Sequence, residues 1–319
     1  MTTFSQVLAL PSDDSGDELL QCASQDEKPE RGLILPSDDD GQPGCIQASR
    51  NRRRTSVKLP GPTRRDLVKA TNVSPRKVSY LWAAEVPRHM RDMPPDDIME
   101  VYSPPLILKV GVEEFNLRGE ISADLETGWN FNKMDHRISL VMVVKARKPL
   151  VLILSPPCTM FSTLQNLNWY KTPVDIRHKK IEEAVLHLEF SCLLMELQLS
   201  EGRWVVFEHP WRALSWHNPS LQDISKHPGM KCLRIDMCTF GMHSPKSHVP
   251  LRKPTVIMTN LMELERLLAK KTCPGNHQHM QIIGTDGGIP LSTWAQKYPR
   301  DFCVAVAGAA AAAARRARA

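Results

Sequence analysis

No stretch of the sequence approaches the ~20 consecutive apolar residues that a membrane-spanning helix needs. The first residues are acidic and polar, without the basic flank and apolar core of a secretory signal. These two absences exclude the simplest membrane and secreted classes of protein. We therefore expect an intracellular chain with no membrane partner.

The chain also lacks paired cysteines. Its eight cysteines are scattered singly and form no C-x-x-C motif, which favours a reducing compartment over a disulfide framework. Of its 319 residues, 42% are hydrophobic and 24% are charged, close to the composition of ordinary globular domains. These values favour one globular domain with a tail.

The first 92 residues differ from the rest, and we predict that they form a disordered tail. Within residues 1–49 the pentapeptide L-P-S-D-D occurs twice, at Leu10–Asp14 and Leu35–Asp39. This acidic stretch is rich in serine and proline and poor in aromatic residues, so it has too little apolar surface to bury. Two short copies are also too few for a solenoid.

A basic arm follows at residues 50–92, where the sign of the charge reverses. Its first half has almost no acid, and the candidates for phosphate contact are Arg52, Arg53, Arg54, Arg64 and Arg65. Such a block predicts a nucleic-acid-binding arm or a nuclear import signal. A nuclear location is therefore expected if the source is eukaryotic. The alternative is a solvated basic linker.

The most informative local feature is a cysteine that follows a short apolar run and two prolines. Residues 150–154 are apolar, and Ser155-Pro156-Pro157-Cys158 follows them. The run predicts a buried strand, and open α/β sheets bind their ligands at the carboxyl ends of such strands. Two prolines fix two φ angles, so the loop is a stiff holder for a nucleophile. The alternative is a buried structural cysteine.

A carboxylate stands at the end of a second apolar run. Arg203–Phe207 predicts a strand that ends at Glu208, and apolar residues at helical spacing over Val174–Leu199 predict an intervening helix. A strand–helix–strand unit places both strand ends at one edge of a parallel sheet. Cys158 and Glu208 are therefore expected to lie close together, as a thiolate nucleophile and an acid. The helix start after the loop is expected to lower the pKa of the thiol.

These two motifs resemble those of one enzyme family. P-P-C-T-M-F-S around Cys158 is similar to the P-C-x-x-F-S signature of cytosine-C5 DNA methyltransferases, and V-F-E-H-P around Glu208 is similar to their E-N-V motif. His209 stands where the family has an asparagine that helps to hold the cysteine loop. The resemblance implies a three-layer α/β domain over residues 93–308, with a Rossmann-like, mostly parallel sheet of the methyltransferase type.

The same resemblance implies residues for a cofactor, S-adenosyl-L-methionine. Ile98–Ser103 is similar to the family's first strand, and Ile121–Trp129 is similar to its second. Tyr102 matches the aromatic residue that stacks on adenine, and Asp124 matches an acid for the ribose hydroxyls. An equal alternative for Asp124 is a turn-forming role before Thr127-Gly128, and Glu126 is the near alternative for the ribose. The implied cofactor residues are Tyr102, Ser103, Asp124, Trp129 and Pro157.

A third catalytic residue is implied further along the chain. Leu233–Gly241 reads as a strand and loop, and Thr255–Asn260 reads as a strand. Arg252, just before that second strand, falls where the family places an arginine that contacts the target base. The alternative is an exposed cation with no role in a site.

The implied function is transfer of a methyl group to C5 of cytosine in DNA through a covalent bond between Cys158 and C6. Two alternatives stay open. Ser103-Pro104-Pro105 replaces the family's glycines, which favours a decayed fold that binds nucleic acid without catalysis. Only a short segment separates Thr255–Asn260 from Ser292, which leaves no room for a large recognition domain and allows RNA as the substrate.

Two further segments carry no assigned function. Cys273, His277 and His279 are potential metal ligands, with Cys303 as a distant fourth, but the C-x3-H-x-H spacing is not that of a standard zinc finger. We therefore expect a polar loop and no metal. Residues 309–319 are an Ala/Arg-rich tail, and helix propensity alone does not distinguish a frayed helix from a translated artefact.

Overall fold

The computed structural model describes residue 81, residues 84–162 and residues 171–319. The acidic repeat and the five arginines predicted to contact nucleic acid, Arg52, Arg53, Arg54, Arg64 and Arg65, lie outside the described residues. Within the described ranges, no helix combines the length and the apolar character that crossing a bilayer requires.

The chain folds as an α/β protein around a six-stranded mixed sheet in the order β2-β1-β3-β4-β6-β5. The first four strands are parallel to one another, while β6 runs antiparallel to both β4 and β5. This mostly parallel sheet is compatible with a Rossmann-like fold. Its strands are β1 (Ile98–Val101), β2 (Ser122–Ala123), β3 (Val151–Leu154), β4 (Trp204–Pro210), β5 (Lys231–Asp236) and β6 (Pro254–Thr259).

Helices cover both faces of the sheet and complete three layers. Buried residues of α1, α5 and α7 share one core cluster, and those of α2, α3 and α4 share the other. A two-stranded hairpin, β7 (Thr285–Asp286) and β8 (Ile289–Pro290), stands apart from the main sheet. The helices are α1 (Leu106–Phe115), α2 (Met134–Arg147), α3 (Val174–Ser200), α4 (Pro219–Ser225), α5 (Met262–Leu268), α6 (Leu291–Trp294) and α7 (Arg300–Arg318).

The apolar runs of the central strands follow from burial on both faces. In β1, Ile98 packs into the cluster under α1 and α7, while Met99 and Val101 pack into the opposite cluster. Alternate side chains of a strand point to opposite faces, so a strand covered on both sides reads as a continuous apolar run. The predicted strands at residues 150–154 and 203–207 and the predicted helix between them are confirmed as β3, β4 and α3.

The Ala-rich segment belongs to the domain, so the prediction of a separate low-complexity tail at residues 309–319 is wrong. It forms the second half of α7, and Ala309, Ala310, Ala311, Ala313 and Ala314 are buried. Small side chains let α7 lie close to α1; a Cβ added at Gly308 would stand 3.3 Å from the Phe115 ring. The end of the helix is held by ion pairs of Arg316 with Glu263 and of Arg318 with Asp97.

The packed domain also begins earlier than the predicted boundary at residue 93. Leu81, Ala84 and Met90 are buried in the core cluster that contains α2 and α3. The Lys145 Nζ atom donates a hydrogen bond of 2.9 Å to the Ala84 carbonyl oxygen. The final part of the segment assigned to the basic arm is therefore part of the fold.

The second strand is much shorter than Ile121–Trp129, the segment predicted for it. Only Ser122 and Ala123 pair with β1, and a 3-10 turn at Leu125–Thr127 ends the strand. The reason is local: the Asp124 carboxylate accepts a hydrogen bond from the Glu126 amide, and the Asp124 amide donates to the Thr127 hydroxyl. This reciprocal capping favours a turn over an extended chain.

Candidate active site

The cysteine loop leaves the sheet at the carboxyl end of β3. The Ser155 amide still donates to the Val101 carbonyl oxygen of β1, and the two prolines then lead the chain out of the strand. Cys158 is half-buried and directly precedes a 3-10 turn, Thr159–Phe161. Pro157, predicted to contact a cofactor, is exposed at this edge. The thiol thus stands on a short, rigid loop above the central strands.

Glu208 stands at the same edge, on the neighbouring strand. β3 and β4 pair in register with Leu154 opposite Phe207, so the next residue of each strand continues toward that edge. Glu208 is only 8% exposed. Its Oε1 atom is buried and has no hydrogen-bond partner among the described residues. A buried carboxylate oxygen that accepts no hydrogen bond is costly, and it is a ready acceptor or donor for a ligand.

A lysine and a tyrosine complete the cluster around these two groups. The Lys253 Nζ atom lies 3.9 Å from Glu208 Oε1 and donates to the Ala295 carbonyl oxygen at 2.9 Å. It also lies 5.5 Å from the centre of the Tyr298 ring. The Tyr298 hydroxyl is 2.6 Å from Ser155 Oγ, at the start of the cysteine loop. Residues from β3, β4, the start of β6 and the segment before α7 therefore converge on one site.

The placement of Arg252 is a correction to the sequence prediction. Arg252 is exposed, and its charge acts on His279, where it lowers the pKa of the imidazole after the larger effect of burial. The next residue, Lys253, carries the positive charge that reaches Glu208. Successive residues of an extended segment point to opposite sides, so a one-residue difference decides which cation enters the site.

The pKa of the Cys158 thiol is also shifted in the direction opposite to the prediction. This pKa is raised to about 11, chiefly by burial and then by the negative charge of Glu208, while Lys253 partly offsets both effects. The turn after Cys158 spans only Thr159–Phe161, too few residues for the aligned peptide dipoles that lower a pKa at a helix start. The resting site therefore holds a neutral thiol at neutral pH.

His209 supports the cysteine loop from β4. Its ring packs against Phe161 of the 3-10 turn, with the two ring centres 5.6 Å apart, and its Nδ1 atom lies 2.5 Å from Ser215 Oγ. Burial lowers the pKa of His209 to about 3, so a neutral imidazole occupies the position that is an asparagine in the resembled family.

The residues predicted to contact a cofactor lie around the ends of β1 and β2. Tyr102 follows β1 with a φ of 63° and packs edge-on against Phe131, with ring centres 4.9 Å apart. Its hydroxyl lies 3.0 Å from Nδ1 of His187. Burial lowers the pKa of His187 to about 4, so that ring is neutral, and one hydrogen bond joins it to the tyrosine hydroxyl. Tyr102 is thereby fixed among aromatic rings.

A shallow cleft borders the same region. It has a volume of about 280 Å³ and is lined by Pro105, Leu108, Glu120, Ile121, Ser122, Thr127 and Trp129. Small-molecule sites usually begin near ~300 Å³, so this cleft suits a part of a ligand such as one ring. Trp129 is the predicted cofactor residue that lines it. Asp124 is not among the lining residues and carries out the turn-forming role that the sequence offered as the alternative to ribose binding.

A buried carboxylate, that of Glu100, accepts hydrogen bonds from the first amides of α1, the helix after β1. Glu100 Oε2 accepts hydrogen bonds from the amides of Ile107 at 3.1 Å and Leu108 at 2.9 Å, and the Leu106 amide donates to the Pro104 carbonyl oxygen. These amides are therefore unavailable to an anionic ligand. The other carboxylate oxygen, Glu100 Oε1, is buried without a hydrogen-bond partner among the described residues. Ser103 is buried in this turn, where its carbonyl oxygen accepts from Ser122 Oγ at 2.6 Å.

Glu100 gives the fold a specific pH dependence. Burial raises its pKa to about 7 from 4.5, so between those values the folded state binds more protons than the unfolded state. The free energy of unfolding contributed by Glu100 therefore falls as pH rises through this window, by about 3 kcal/mol at 1.36 kcal/mol for each unit of pKa. We expect the free energy of unfolding of Glu100→Gln to show no such decrease with pH. Urea unfolding at several pH values measures it.

The matched control for that experiment is Glu113→Gln, which changes an exposed carboxylate on α1. Its stability profile should follow that of the unchanged protein across the same window. Parallel profiles for the unchanged protein and Glu100→Gln would show that Glu100 does not titrate there.

Sequence reasoning missed Lys253 and Tyr298 as members of the site. Lys253 had a weak signal, its place beside Arg252, and Tyr298 had none beyond its position before a proline. Both depend on how β6 and α7 are placed against β4, which no local pattern reveals. Comparisons with protein-family models, with curated proteins and with solved structures find no match for this chain.

Proposed function

We propose that this protein transfers a methyl group from S-adenosyl-L-methionine to C5 of cytosine in DNA. The observation that carries the proposal is the pairing of a thiol, Cys158, with a buried carboxylate oxygen of Glu208 on the adjacent strand end that has no hydrogen-bond partner among the described residues. Attack on an electron-poor ring needs a nucleophile and a group that holds a proton on the ring nitrogen. A mostly parallel sheet covered on both faces is what a methyltransferase-type fold requires.

The residues of the site divide the reaction among them. Cytosine must leave the base stack, because C6 is inaccessible to attack inside a duplex. Cys158 adds to C6 while Glu208 holds the proton at N3, so that the negative charge developing on the ring is neutralised. Lys253 takes the place predicted for Arg252 and faces O2. C5 of the adduct would then take the methyl group that the cofactor supplies, and the cofactor sulfur would keep the electron pair of the broken S–CH3 bond. Loss of the C5 proton to a base then forms the C5–C6 double bond, breaks the S–C6 bond and releases the thiolate, while N3 returns its proton to Glu208.

Lys253 and Glu208 also act on the thiol itself. The carboxylate raises the pKa of Cys158 and the ammonium lowers it. Cytosine has no proton of its own at N3, so the proton shared between N3 and Glu208 comes from the Cys158 thiol. This shared proton neutralises the negative charge that opposes the thiolate. Binding of the substrate base is therefore expected to activate Cys158, and the free protein keeps it protonated.

The cofactor site fits a cationic methyl donor in two respects. Glu100 Oε1 is a buried acceptor without a partner, suited to the ammonium group of S-adenosyl-L-methionine, and Tyr102 and Trp129 offer aromatic surfaces at the ends of β1 and β2. When bound, this cofactor supplies an electrophilic methyl group. Its carboxylate is not held by the start of α1, where Glu100 already occupies the amides.

That occupied helix start favours a second candidate function. A chain of this fold that binds nucleic acid without methyl transfer would need no free amides after β1. Calorimetry with S-adenosyl-L-methionine separates the two functions, because a binding protein of this kind gives no heat with the cofactor and still binds DNA with a steep salt dependence.

A covalent trap tests the proposed enzyme directly. DNA that contains 5-fluorocytosine cannot lose its C5 substituent as a proton, so the adduct at C6 persists after methyl transfer. We expect a protein–DNA species that survives denaturing electrophoresis, forms only with S-adenosyl-L-methionine, and maps to Cys158 by peptide mass. RNA with the same base, assayed in parallel, distinguishes an RNA substrate. Absence of the species with both nucleic acids, from a folded protein, would overturn the proposal.

A further inference from the structure

The loop after α5 brings two histidines and two cysteines to one point. Cys273, His277 and His279 belong to this loop, and Cys238 comes from the 3-10 turn that follows β5. One ligand atom from each of the four residues lies within 4.8 Å of all the others. Thirty-four residues separate Cys238 from Cys273 in the sequence, so the fold assembles this cluster.

Four of the six separations between ligand atoms of the cluster are close to those of a tetrahedron around a metal ion. His277 Nε2 and His279 Nε2 each lie 3.6 Å from Cys273 Sγ and 3.0 Å from one another, and His279 Nε2 lies 3.3 Å from Cys238 Sγ. Zinc bonds of ~2.3 Å to sulfur and ~2.0–2.1 Å to nitrogen place tetrahedral ligand atoms about 3.3–3.8 Å apart. These four separations fall in or just below this range, and all four ligand atoms lie within 4.8 Å of one another.

Hydrogen bonding alone leaves this arrangement unexplained. The Nε2 atom of His279 is within contact distance of three polar atoms, on Cys273, His277 and Cys238. A neutral imidazole nitrogen either donates one hydrogen or accepts one, so it can satisfy one of these partners. A single cation between the four residues satisfies all of them at once, because each offers it a lone pair.

The surroundings of the cluster are those of a metal site. The other ring nitrogen of His277, Nδ1, lies 3.1 Å from Asn276 Oδ1, and the Gly275 amide donates to Cys273 Sγ at 3.3 Å. Such outer contacts fix the ring and stabilise a thiolate. The loop itself has little apolar anchoring: Thr272, Pro274, Gly275, Asn276 and Gln278 are exposed, between half-buried ligands. A segment of this kind needs a cross-link to stay in place.

We propose that Cys238, Cys273, His277 and His279 bind one structural zinc ion. Two thiolates and two imidazoles in tetrahedral positions select zinc among the common divalent metals. All four positions are filled by protein, so the ion has no open position for a substrate and its role is structural. The sequence expectation of a metal-free polar loop is thereby replaced, and Cys238 takes the fourth place for which Cys303 was considered.

The site would fix the segment that carries Lys253. The residue after the last ligand, Met280, donates to the Pro250 carbonyl oxygen at 2.8 Å and accepts from the Arg252 amide at 3.0 Å. Zinc would tie these residues, through His279, to the end of β5. The inference does not depend on methyl transfer, since it concerns only the ligands and their anchoring.

Elemental analysis of the full-length protein tests the zinc site. Protein produced with zinc in the medium and dialysed against metal-free buffer is expected to hold one zinc ion per chain. Cys238→Ala and Cys273→Ala should each reduce this at least fivefold, whereas the matched control Cys303→Ala should retain it. Full zinc in Cys238→Ala, or its loss in Cys303→Ala, would overturn the assignment.

A second measurement tests the zinc site even if the cysteine variants fail to fold. The unchanged protein, stripped of zinc and loaded with Co²⁺, should show the intense visible bands of tetrahedral cobalt and a near-ultraviolet charge-transfer band sized for two thiolates. A folded protein that holds neither zinc nor cobalt, or cobalt bands of an octahedral ion, would overturn the proposal. Methyl-transfer activity is not a readout in either experiment, so its absence leaves the zinc site unaffected.

Discussion

Replacing Cys158 by alanine is expected to lower methyl transfer to cytosine by at least about 10⁴-fold, because removal of a nucleophile leaves only the contribution of binding. The thiol is half-buried on a loop outside the strands of the sheet. The thermal midpoint of Cys158→Ala should therefore stay close to that of the unchanged protein. Turnover by Cys158→Ala within tenfold of the unchanged protein would contradict the assignment of the nucleophile.

Cys303→Ala is the matched control for this variant. Cys303 is buried in α7, within the core cluster under α1. Its replacement removes apolar contacts and should lower the thermal midpoint while leaving turnover per folded molecule unchanged. The two variants therefore separate loss of chemistry from loss of fold.

The pKa of the Cys158 thiol predicts how the alkylation rate of the free protein depends on pH. Its pKa is raised to about 11 by burial and by Glu208, and the thiolate is the reactive form. Below that pKa the thiolate fraction rises about tenfold for each pH unit. The rate of alkylation of Cys158 by iodoacetamide should therefore rise between pH 7 and pH 9, without a plateau. A plateau below pH 9 would show that the site stabilises the thiolate in the absence of substrate.

Replacing Glu208 by glutamine is expected to change two rates in opposite directions. Methyl transfer should fall by about 10²–10⁴-fold, the usual contribution of a positioned acid or base. Alkylation of Cys158 at a fixed pH should rise, because the negative charge that raises the thiol pKa is gone. Loss of structure would also expose the thiol and speed its alkylation, so the thermal midpoint of Glu208→Gln is measured alongside and should stay close to that of the unchanged protein.

Lys253→Met is expected to slow the alkylation of Cys158, the opposite of the effect expected for Glu208→Gln. Removing the ammonium leaves Glu208 unopposed, so the pKa of Cys158 rises and its alkylation slows. The matched control is Arg252→Met, an adjacent and equally conservative loss of one positive charge. Arg252 is exposed and acts on His279, so this variant should leave the alkylation profile of Cys158 unchanged. Equal effects of the two variants would place Arg252 in the site after all.

Several features of this protein could be read from local patterns. Three of these patterns each lie within a single strand or helix and so predict that element by themselves. They are the apolar run at residues 150–154, the helical spacing over residues 174–199 and the apolar run at residues 203–207. Once these three elements follow one another, the right-handed crossover leaves one arrangement of the strand ends. The sequence alone therefore placed Cys158 and Glu208 at the same edge, as the register of β3 and β4 shows.

The tertiary structure decided everything that joins distant segments. Which of two adjacent cations faces Glu208 depends on the antiparallel insertion of β6 beside β4. The pKa of the Cys158 thiol depends on burial and on charges brought in by other strands. The Ala-rich end of α7 reads as low complexity because its partners, Phe115 of α1 and Glu263 of α5, lie far away in the chain.

The clearest case is the cluster of cysteines and histidines. A loop sequence displays three of its members, and its spacing alone gives no reason to expect a metal. The fourth member, Cys238, stands at the end of an edge strand, and only the packing of the loop against that strand end brings it within reach of His279. Strand and helix periods act over a few residues, whereas a metal site is closed by contacts that the folded chain alone creates.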